Sequence, residues 1–231
     1  MVQFSRFDWA KPERKVYPMA TWMTHLRIAD NLLDRIPDLS PIEFIMGNLA
    51  PDSGVPNPDG SFSPDARMSH FRIDDPASGK RDIDAAGFHA RFLTPDLVAT
   101  YNERQYSFYL GYYVHLLTDR FWSDEVAWPT RLAFPQAPWE EIKENWRHLD
   151  RLYLKERPGF RAFRAYLGSV GFVNTYLDFF APDALDQKRQ AVTDFYLEED
   201  PIPPRTMQYL DMPRLEQFIA DCTMHLMEIL R

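Results

Sequence analysis

The stretch that decides the fold is residues 101–128, YNERQYSFYLGYYVHLLTDRFWSDEVAW. Its apolar side chains recur every three or four residues, as on one face of an α-helix; they are Tyr106, Tyr109, Leu110, Tyr113, Leu117 and Phe121. His115 and Asp119 lie within this pattern, four positions apart. The spacing predicts a long helix that carries both polar side chains on one face.

The same periodicity predicts helices on both sides of this stretch. One covers 22–36 and ends before Pro37, and a short one covers 42–49, with Ser40 as N-cap and Pro41 at its first position. The remaining predicted helices are 84–92, 140–155, 159–168, 172–179, 182–197 and 212–230. No segment shows β-alternation, and no internal repeat is present. The predicted fold is all-α.

Between Ala50 and Gly79 the composition changes to one rich in proline and glycine. This predicts a long irregular loop. Loops of that length in a compact domain are uncommon and tend to be functional. Asp52 and His70 both lie in this loop.

Length and composition bound the function. At 231 residues the chain fits a single domain, 1–231, in which we expect 1–18 to be an N-terminal extension. The net charge of −8 and the lack of a Lys/Arg run argue against nucleic-acid binding. We expect a cytoplasmic protein, because no apolar run would span a membrane or serve as a secretory signal, and Cys222 is the one cysteine.

A metal site is one interpretation of His115 and Asp119, because an imidazole and a carboxylate at this spacing can clamp one ion. The alternative is a plain hydrogen-bonded pair. His25 could equally be a core histidine, Asp52 a turn-forming residue and His70 a loop histidine. Taken one at a time, these residues do not distinguish a metal site from ordinary structural roles.

The order of the motifs carries a resemblance. The series His-Leu-Arg-Ile-Ala (25–29), Gly-Asn-Leu-Ala-Pro-Asp (47–52), Ser-His-Phe (69–71) and Tyr-Leu-Gly-Tyr-Tyr-Val-His-Leu-Leu-Thr-Asp (109–119) resembles the zinc-dependent phospholipase C family, which is related in fold to the S1/P1 nucleases. The likeness covers roughly 19–125. It implies a single-domain multi-helix bundle that holds a cluster of up to three zinc ions and hydrolyses phosphoesters.

The resemblance also implies roles for individual residues. Asp52, His70, His115 and Asp119 look like the ligands of one metal, and His25 like a ligand of a second metal that Asp119 bridges. Asp52 would in addition orient the nucleophilic water or accept its proton. The expected cofactor is one or two Zn²⁺ ions, with another divalent metal as the alternative.

The chain departs from the family in two places. Secreted members begin with a Trp whose amine and carbonyl complete the second site, whereas Trp22 is preceded by other residues. The family also holds a further metal with a His just beyond His-x-x-x-Asp and with a later His-x-x-x-Glu. Here those places show Ser123-Asp-Glu125 and the reversed pair Glu144 and His148, which are possible additional ligands.

The expected function is therefore metal-dependent hydrolysis of a small phosphoester or lipid-like substrate by metal-activated water. The main alternative is a non-catalytic helical binding module with one structural metal or none. A His-Asp phosphohydrolase is disfavoured, because the chain has no adjacent His-Asp pair. Several aromatic residues occur at the end of the helix that carries His115 and Asp119 and directly after it. They could form the wall of a pocket for an apolar substrate, or they could belong to ordinary core and loop packing. They are Phe121, Trp122, Trp128, Phe134 and Trp139.

Overall fold

The computed structural model describes residues 19–74, 81–198 and 207–231, so the predicted extension 1–18 lies outside the described residues. Helices dominate the described part, and the all-α prediction is confirmed. The α-helices are α1 (Trp22–Leu33), α2 (Pro41–Leu49), α3 (Ala66–Ser69), α4 (Ala85–Phe92), α5 (Pro95–Val98), α6 (Glu103–Trp122), α7 (Trp128–Ala133), α8 (Trp139–Glu156), α9 (Arg161–Gly168), α10 (Ala184–Leu197) and α11 (Met212–Ile229).

None of the described helices combines the length and the apolar character needed to cross a membrane.

Helix α6 forms where the aromatic periodicity predicts it. It begins at a capping box, in which the Asn102 side chain accepts from the Gln105 amide and the Gln105 side chain accepts from the Asn102 amide. Beyond Trp122 the helical path continues through a π-helical segment, Ser123–Ala127, into α7. The predicted helical stretch 101–128 is thus continuous, with a widened turn near its end.

Helix α2 crosses α6 at two glycines. A Cβ atom on Gly47 would lie 2.1 Å from the carbonyl oxygen of Phe108, and one on Gly111 would lie 2.2 Å from that of Phe44. A side chain at either position would therefore clash with the opposite backbone. This close approach brings the end of α2 beside the middle of α6.

Helix α1 begins at Thr21, whose hydroxyl accepts from the Thr24 amide. Its buried side chains, among them Met23 and Leu26, face the interior, and the helix packs on α2, α9 and α11. Helix α1 therefore lies beside the α2–α6 pair and can direct side chains towards it.

The prediction of an irregular loop over 50–79 is wrong in part, because short strands lie within it and directly after it. After a 3-10 turn, Ala50–Asp52, strands β1 (Val55–Pro56) and β2 (Phe62–Ser63) pair antiparallel. Strands β3 (Arg72–Asp74) and β4 (Arg81–Ile83) form a second antiparallel pair. Strands of two or three residues are too short for side-chain alternation to be recognised.

The predicted helix 172–179 is also wrong. The Asn174 side chain accepts from the amides of Tyr176 and Leu177 and donates to the carbonyls of Leu177 and Phe180. An Asn that bonds the following backbone in this way favours a turn over a helix. The segment is consequently irregular and leads into α10.

Candidate metal centre

The fold brings the five predicted ligands together from four parts of the chain. They form a buried group that we call the His/Asp cluster: His25 on α1, Asp52 in the 3-10 turn, His70 directly after α3, and His115 and Asp119 on α6. Residues that are far apart in sequence thus meet where α1, α2 and α6 approach one another.

The carboxylates lie between the imidazoles. Asp119 Oδ1 is 3.3 Å from His25 Nε2, and Asp119 Oδ2 is 3.3 Å from His115 Nε2. His70 Nε2 is 3.2 Å from Asp52 Oδ1 and 3.8 Å from Asp119 Oδ2. The rings of His25 and His115 are stacked, with centroids 3.8 Å apart. Asp119 therefore touches all three histidines, whereas Asp52 touches His70.

The outer nitrogen of two rings is held by neighbouring groups. His115 Nδ1 lies 2.7 Å from the carbonyl oxygen of Asn48 and must donate to it, because a carbonyl only accepts. His70 Nδ1 shares a hydrogen bond of 3.0 Å with the Ser69 hydroxyl. A neutral His115 then presents an unprotonated Nε2 to the cluster, which is the form that binds metal.

The inward-facing atoms lack hydrogen bonds. Among the described residues, the buried polar atoms without a hydrogen-bond partner include His25 Nε2, His70 Nε2, His115 Nε2 and Asp119 Oδ2. Leaving such groups unsatisfied costs free energy, which a metal ion would recover.

The donor atoms also fall into two sets compact enough for an ion. His25, His115 and Asp119 form one, and Asp52, His70 and His115 form the other; within each set the atoms lie within 4.8 Å of one another. Imidazole and carboxylate together suit Zn²⁺ and other divalent ions. The buried His/Asp group could thus hold a metal ion.

Charge inside the cluster is set by the mutual interaction of its members. Burial works against the Asp119 carboxylate, but the charges of His115 and His25 outweigh it and hold its pKa well below the usual value. The pKa of Asp52 is lowered in the same way by His70 and His115 against the effect of burial. Burial and the charge of His115 lower the pKa of His25. Burial lowers the pKa of His115, but the charges of Asp119 and Asp52 outweigh this effect and raise it. The cluster thus keeps both carboxylates ionised, as metal binding requires.

The chain that enters α1 also contacts the cluster. The peptide N–H of Ala20 donates to Asp119 Oδ1 over 2.9 Å. The backbone two residues before Trp22 therefore lies against the carboxylate that touches all three histidines, and it fixes the position of that carboxylate.

Within the described ranges, the possible additional ligands Glu144 and His148 are not members of either compact set. The carboxylate of Glu144 lies 3.2 Å from Arg147 and 3.5 Å from Arg151, and His148 is buried in α8. Glu144 is held by arginines on its own helix.

A cavity of about 310 Å³ opens next to the cluster. Asp52 and His70 line one side of it, and Lys188 of α10 is among the residues lining it elsewhere. Sequence reasoning missed Lys188, although a signal was present. Its neighbours at helical spacing include Ala184, Leu185 and Val192, which are buried apolar residues, so a lysine on this face is out of pattern.

The aromatic residues for which the sequence left two alternatives, a substrate wall or ordinary packing, belong to the packing of the protein. Trp122 packs edge-on against Trp146 and Phe218, Phe134 against Tyr209, and none of the five predicted residues lines the cavity. The aromatic side chains that do line it were not predicted: Trp22, Phe62, Trp146, Phe195 and Tyr196.

No family model matches the chain, and comparisons with curated proteins and with solved structures also find no match. The resemblance to zinc-dependent phospholipase C therefore stays a prediction that rests on the residues quoted above.

Proposed function

We propose that this protein is a metal-dependent hydrolase of phosphoesters in which the His/Asp cluster holds one or two divalent ions, preferably Zn²⁺. One observation carries the proposal. Buried ring nitrogens of His25, His70 and His115 converge on Asp119 without hydrogen bonds, and the cluster adjoins a cavity of about 310 Å³. A metal ion for structural support alone would not need a neighbouring cavity.

The roles of the residues follow from their positions. His25, His115 and Asp119 would hold one ion, and Asp52 and His70, with His115 or Asp119, would hold or share another. A bound ion supplies a Lewis acid that lowers the pKa of water and neutralises phosphate oxygens. Asp52 lines the cavity, and as an ionised carboxylate it can accept a hydrogen bond from water and orient it.

The order of the motifs supports the same function. The residues that resemble the ligands of zinc-dependent phospholipase C are those of the His/Asp cluster. The peptide amide of Ala20 lies at Asp119, where a terminal amine would be expected in that family. This favours fewer than three ions.

The first test is metal content. Protein purified without added metal is analysed by mass spectrometry, beside His115→Ala and the matched control His225→Ala, whose ring is exposed. We expect near-stoichiometric divalent metal in the unmutated protein and in the control. His115→Ala should bind metal at least about 100-fold more weakly, because it removes a ligand common to both compact sets.

The second test is hydrolysis. Phenyl phosphate and bis(p-nitrophenyl) phosphate are incubated with the full chain, with and without chelator, and Zn²⁺ is then restored. Hydrolysis that the chelator abolishes and Zn²⁺ restores supports the proposal. Metal without hydrolysis would leave a structural site in a binding module, and failure to take up any divalent ion would refute the proposal.

A further inference from the structure

We propose that Lys188 is the anion-recognition residue of the cavity and that it selects small phosphomonoesters with an apolar or aromatic alcohol part. This inference rests on the proposed function, since it assigns the substrate class of the same site. It concerns the wall of the cavity formed by α8 and α10 rather than the His/Asp cluster.

The surroundings of Lys188 leave its ammonium group available. Within the part of the chain that the structure describes, Lys188 forms no ion pair with a carboxylate, and its Nζ lies 4.8 Å from the centre of the Trp22 ring. Burial lowers the pKa of Lys188, while the charge of Asp52 acts against this effect. An ammonium group removed from water in this way gains from an anionic ligand.

Two other cationic side chains, Arg147 and Lys143, line the cavity. Arg147 lies 2.5 Å from Glu140 and 3.2 Å from Glu144, so its charge is largely balanced. Lys143 is half-buried at the same wall. Asp52 is the one acidic residue among the described residues that line the cavity. With a divalent ion bound at the cluster, the cavity would carry excess positive charge.

Charge favours a monoester over a diester. A phosphomonoester carries about −1.5 to −2 at neutral pH, whereas a diester carries about −1. Lys188 thus gains more from the monoester, and the second charge offsets the excess positive charge of the site.

The volume of the cavity and its aromatic lining also favour a monoester. A volume of about 310 Å³ is near the lower end of the roughly 300–1,000 Å³ of small-molecule sites. Trp22 and Phe195 pack edge-on with ring centres 5.6 Å apart at the wall beside Lys188, and both line the cavity. One apolar group fits such a wall better than two.

The test separates binding from hydrolysis by using ligands whose P–C bonds water does not cleave. Phenylphosphonate, a dianion at pH 8, and diphenylphosphinate, a monoanion, are titrated calorimetrically into the full chain with and without Zn²⁺. The variants are Lys188→Met and Lys188→Arg. The matched control is Lys155→Met, since Lys155 is exposed and lies outside the cavity.

We expect the unmutated protein to bind phenylphosphonate more tightly than diphenylphosphinate. Lys188→Met should weaken phenylphosphonate binding about tenfold and diphenylphosphinate binding by less. Lys188→Arg, which keeps the charge, should stay within about threefold of the unmutated protein, and Lys155→Met should be unchanged.

Equal binding of phenylphosphonate by Lys188→Met and the unmutated protein, or a preference of the unmutated protein for diphenylphosphinate, overturns the proposal. That second measurement needs no variant, so it tests the proposed substrate class even if Lys188→Met does not fold, and Lys188→Arg then remains as the variant at this position. Lys188-dependent binding without hydrolysis of any ester would refute the hydrolase but keep the anion site. Hydrolysis of phenyl phosphate that is unchanged in Lys188→Met would keep the hydrolase and refute this role of Lys188.

Discussion

Two buried carboxylates, Asp119 and Asp150, lie in clusters of opposite character. Asp119 is surrounded by imidazoles whose inward nitrogens lack hydrogen bonds. Asp150 of α8 belongs to a second group, the Asp150 cluster, in which Thr21 Oγ1 donates to its Oδ1 over 2.9 Å and the Tyr196 hydroxyl donates to its Oδ2 over 2.8 Å. The same chain therefore surrounds one buried carboxylate with hydroxyl groups that donate to it, and the other with imidazole nitrogens.

The difference shows in the pKa values. Burial raises the pKa of Asp150 to about 7, because the hydroxyl groups and nearby arginines only partly offset it. In Asp119 the charges of His115 and His25 outweigh burial and keep the pKa well below its usual value. The buried atoms of the His/Asp cluster that lack hydrogen bonds could thus hold a metal ion. In the Asp150 cluster, in contrast, protein hydroxyl groups donate hydrogen bonds to both carboxylate oxygens.

The largest expected effect concerns Asp150. Its folded-state pKa is about 7 against an ordinary value of 3.8, so its stabilising contribution is fully present below about pH 4 and is lost as pH rises towards 7. Asp150→Asn resembles the protonated carboxyl group in shape and keeps one oxygen as an acceptor. The variant should therefore not show this loss, which amounts to about 4 kcal/mol in the free energy of unfolding. Urea unfolding of the metal-free protein from pH 4 to pH 8 measures it. A profile parallel to that of the unmutated protein would contradict the contrast between the clusters.

Asp119 should behave in the opposite sense. Its lowered pKa contributes stability that is present above about pH 4 and is lost as the pH falls through the folded-state pKa. In a urea series extended down to about pH 2, Asp119→Asn should therefore be less stable than the unmutated protein at neutral pH and should lose less stability below pH 4. Equal slopes below pH 4 would show that the imidazoles do not hold Asp119 in its charged form.

A smaller effect is expected where α2 crosses α6. In Gly111→Ala the new Cβ would lie 2.2 Å from the carbonyl oxygen of Phe44. The helices must separate, and we expect a loss of about 2 kcal/mol in the free energy of unfolding, together with weaker metal binding, because Asn48 moves away from His115. Gly159→Ala is the control, since nothing lies within 4 Å of its added Cβ. Unchanged stability and metal binding would show that the crossing does not position the cluster.

The smallest effect is expected at Ser69, whose hydroxyl bonds His70 Nδ1 over 3.0 Å. Ser69→Ala should leave the fold intact and weaken metal binding about tenfold, because His70 loses the group that orients its ring. A competition titration against a zinc indicator measures this affinity. Ser169→Ala removes another buried hydroxyl, one that bonds the Ala165 carbonyl in α9, and should leave the affinity unchanged. A similar loss in both variants would mean that the effect is general destabilisation.

The members of the His/Asp cluster could be predicted from the sequence as one group. Helical spacing placed His115 and Asp119 on one face, and the motif order associated them with His25, Asp52 and His70, all of which lie together in the structure. The search could be confined to these residues because few residue types ligate metals.

The residues that line the cavity wall could not be predicted in the same way. Whether Lys188, Phe195 and Tyr196 face a cavity depends on how α10 packs against the start of α1, and no local pattern encodes that packing. The secondary structure of two segments was predicted wrongly, because the local sequence signal was weak or was overridden by other interactions. The strands in and directly after the loop 50–79 are two or three residues long, and Asn174 takes backbone hydrogen bonds that a helix over 172–179 would need.

The hydrogen bond from Ala20 to Asp119 has a consequence for folding. It joins positions 99 residues apart in the chain, and Thr21 reaches Asp150 across 129 residues. Closing loops of this length costs chain entropy before any contact compensates it, and such contacts form late. We therefore expect the His/Asp cluster to be among the last parts of the molecule to assemble. A newly made chain would acquire its helices first and its capacity to bind an ion only when the start of α1 docks.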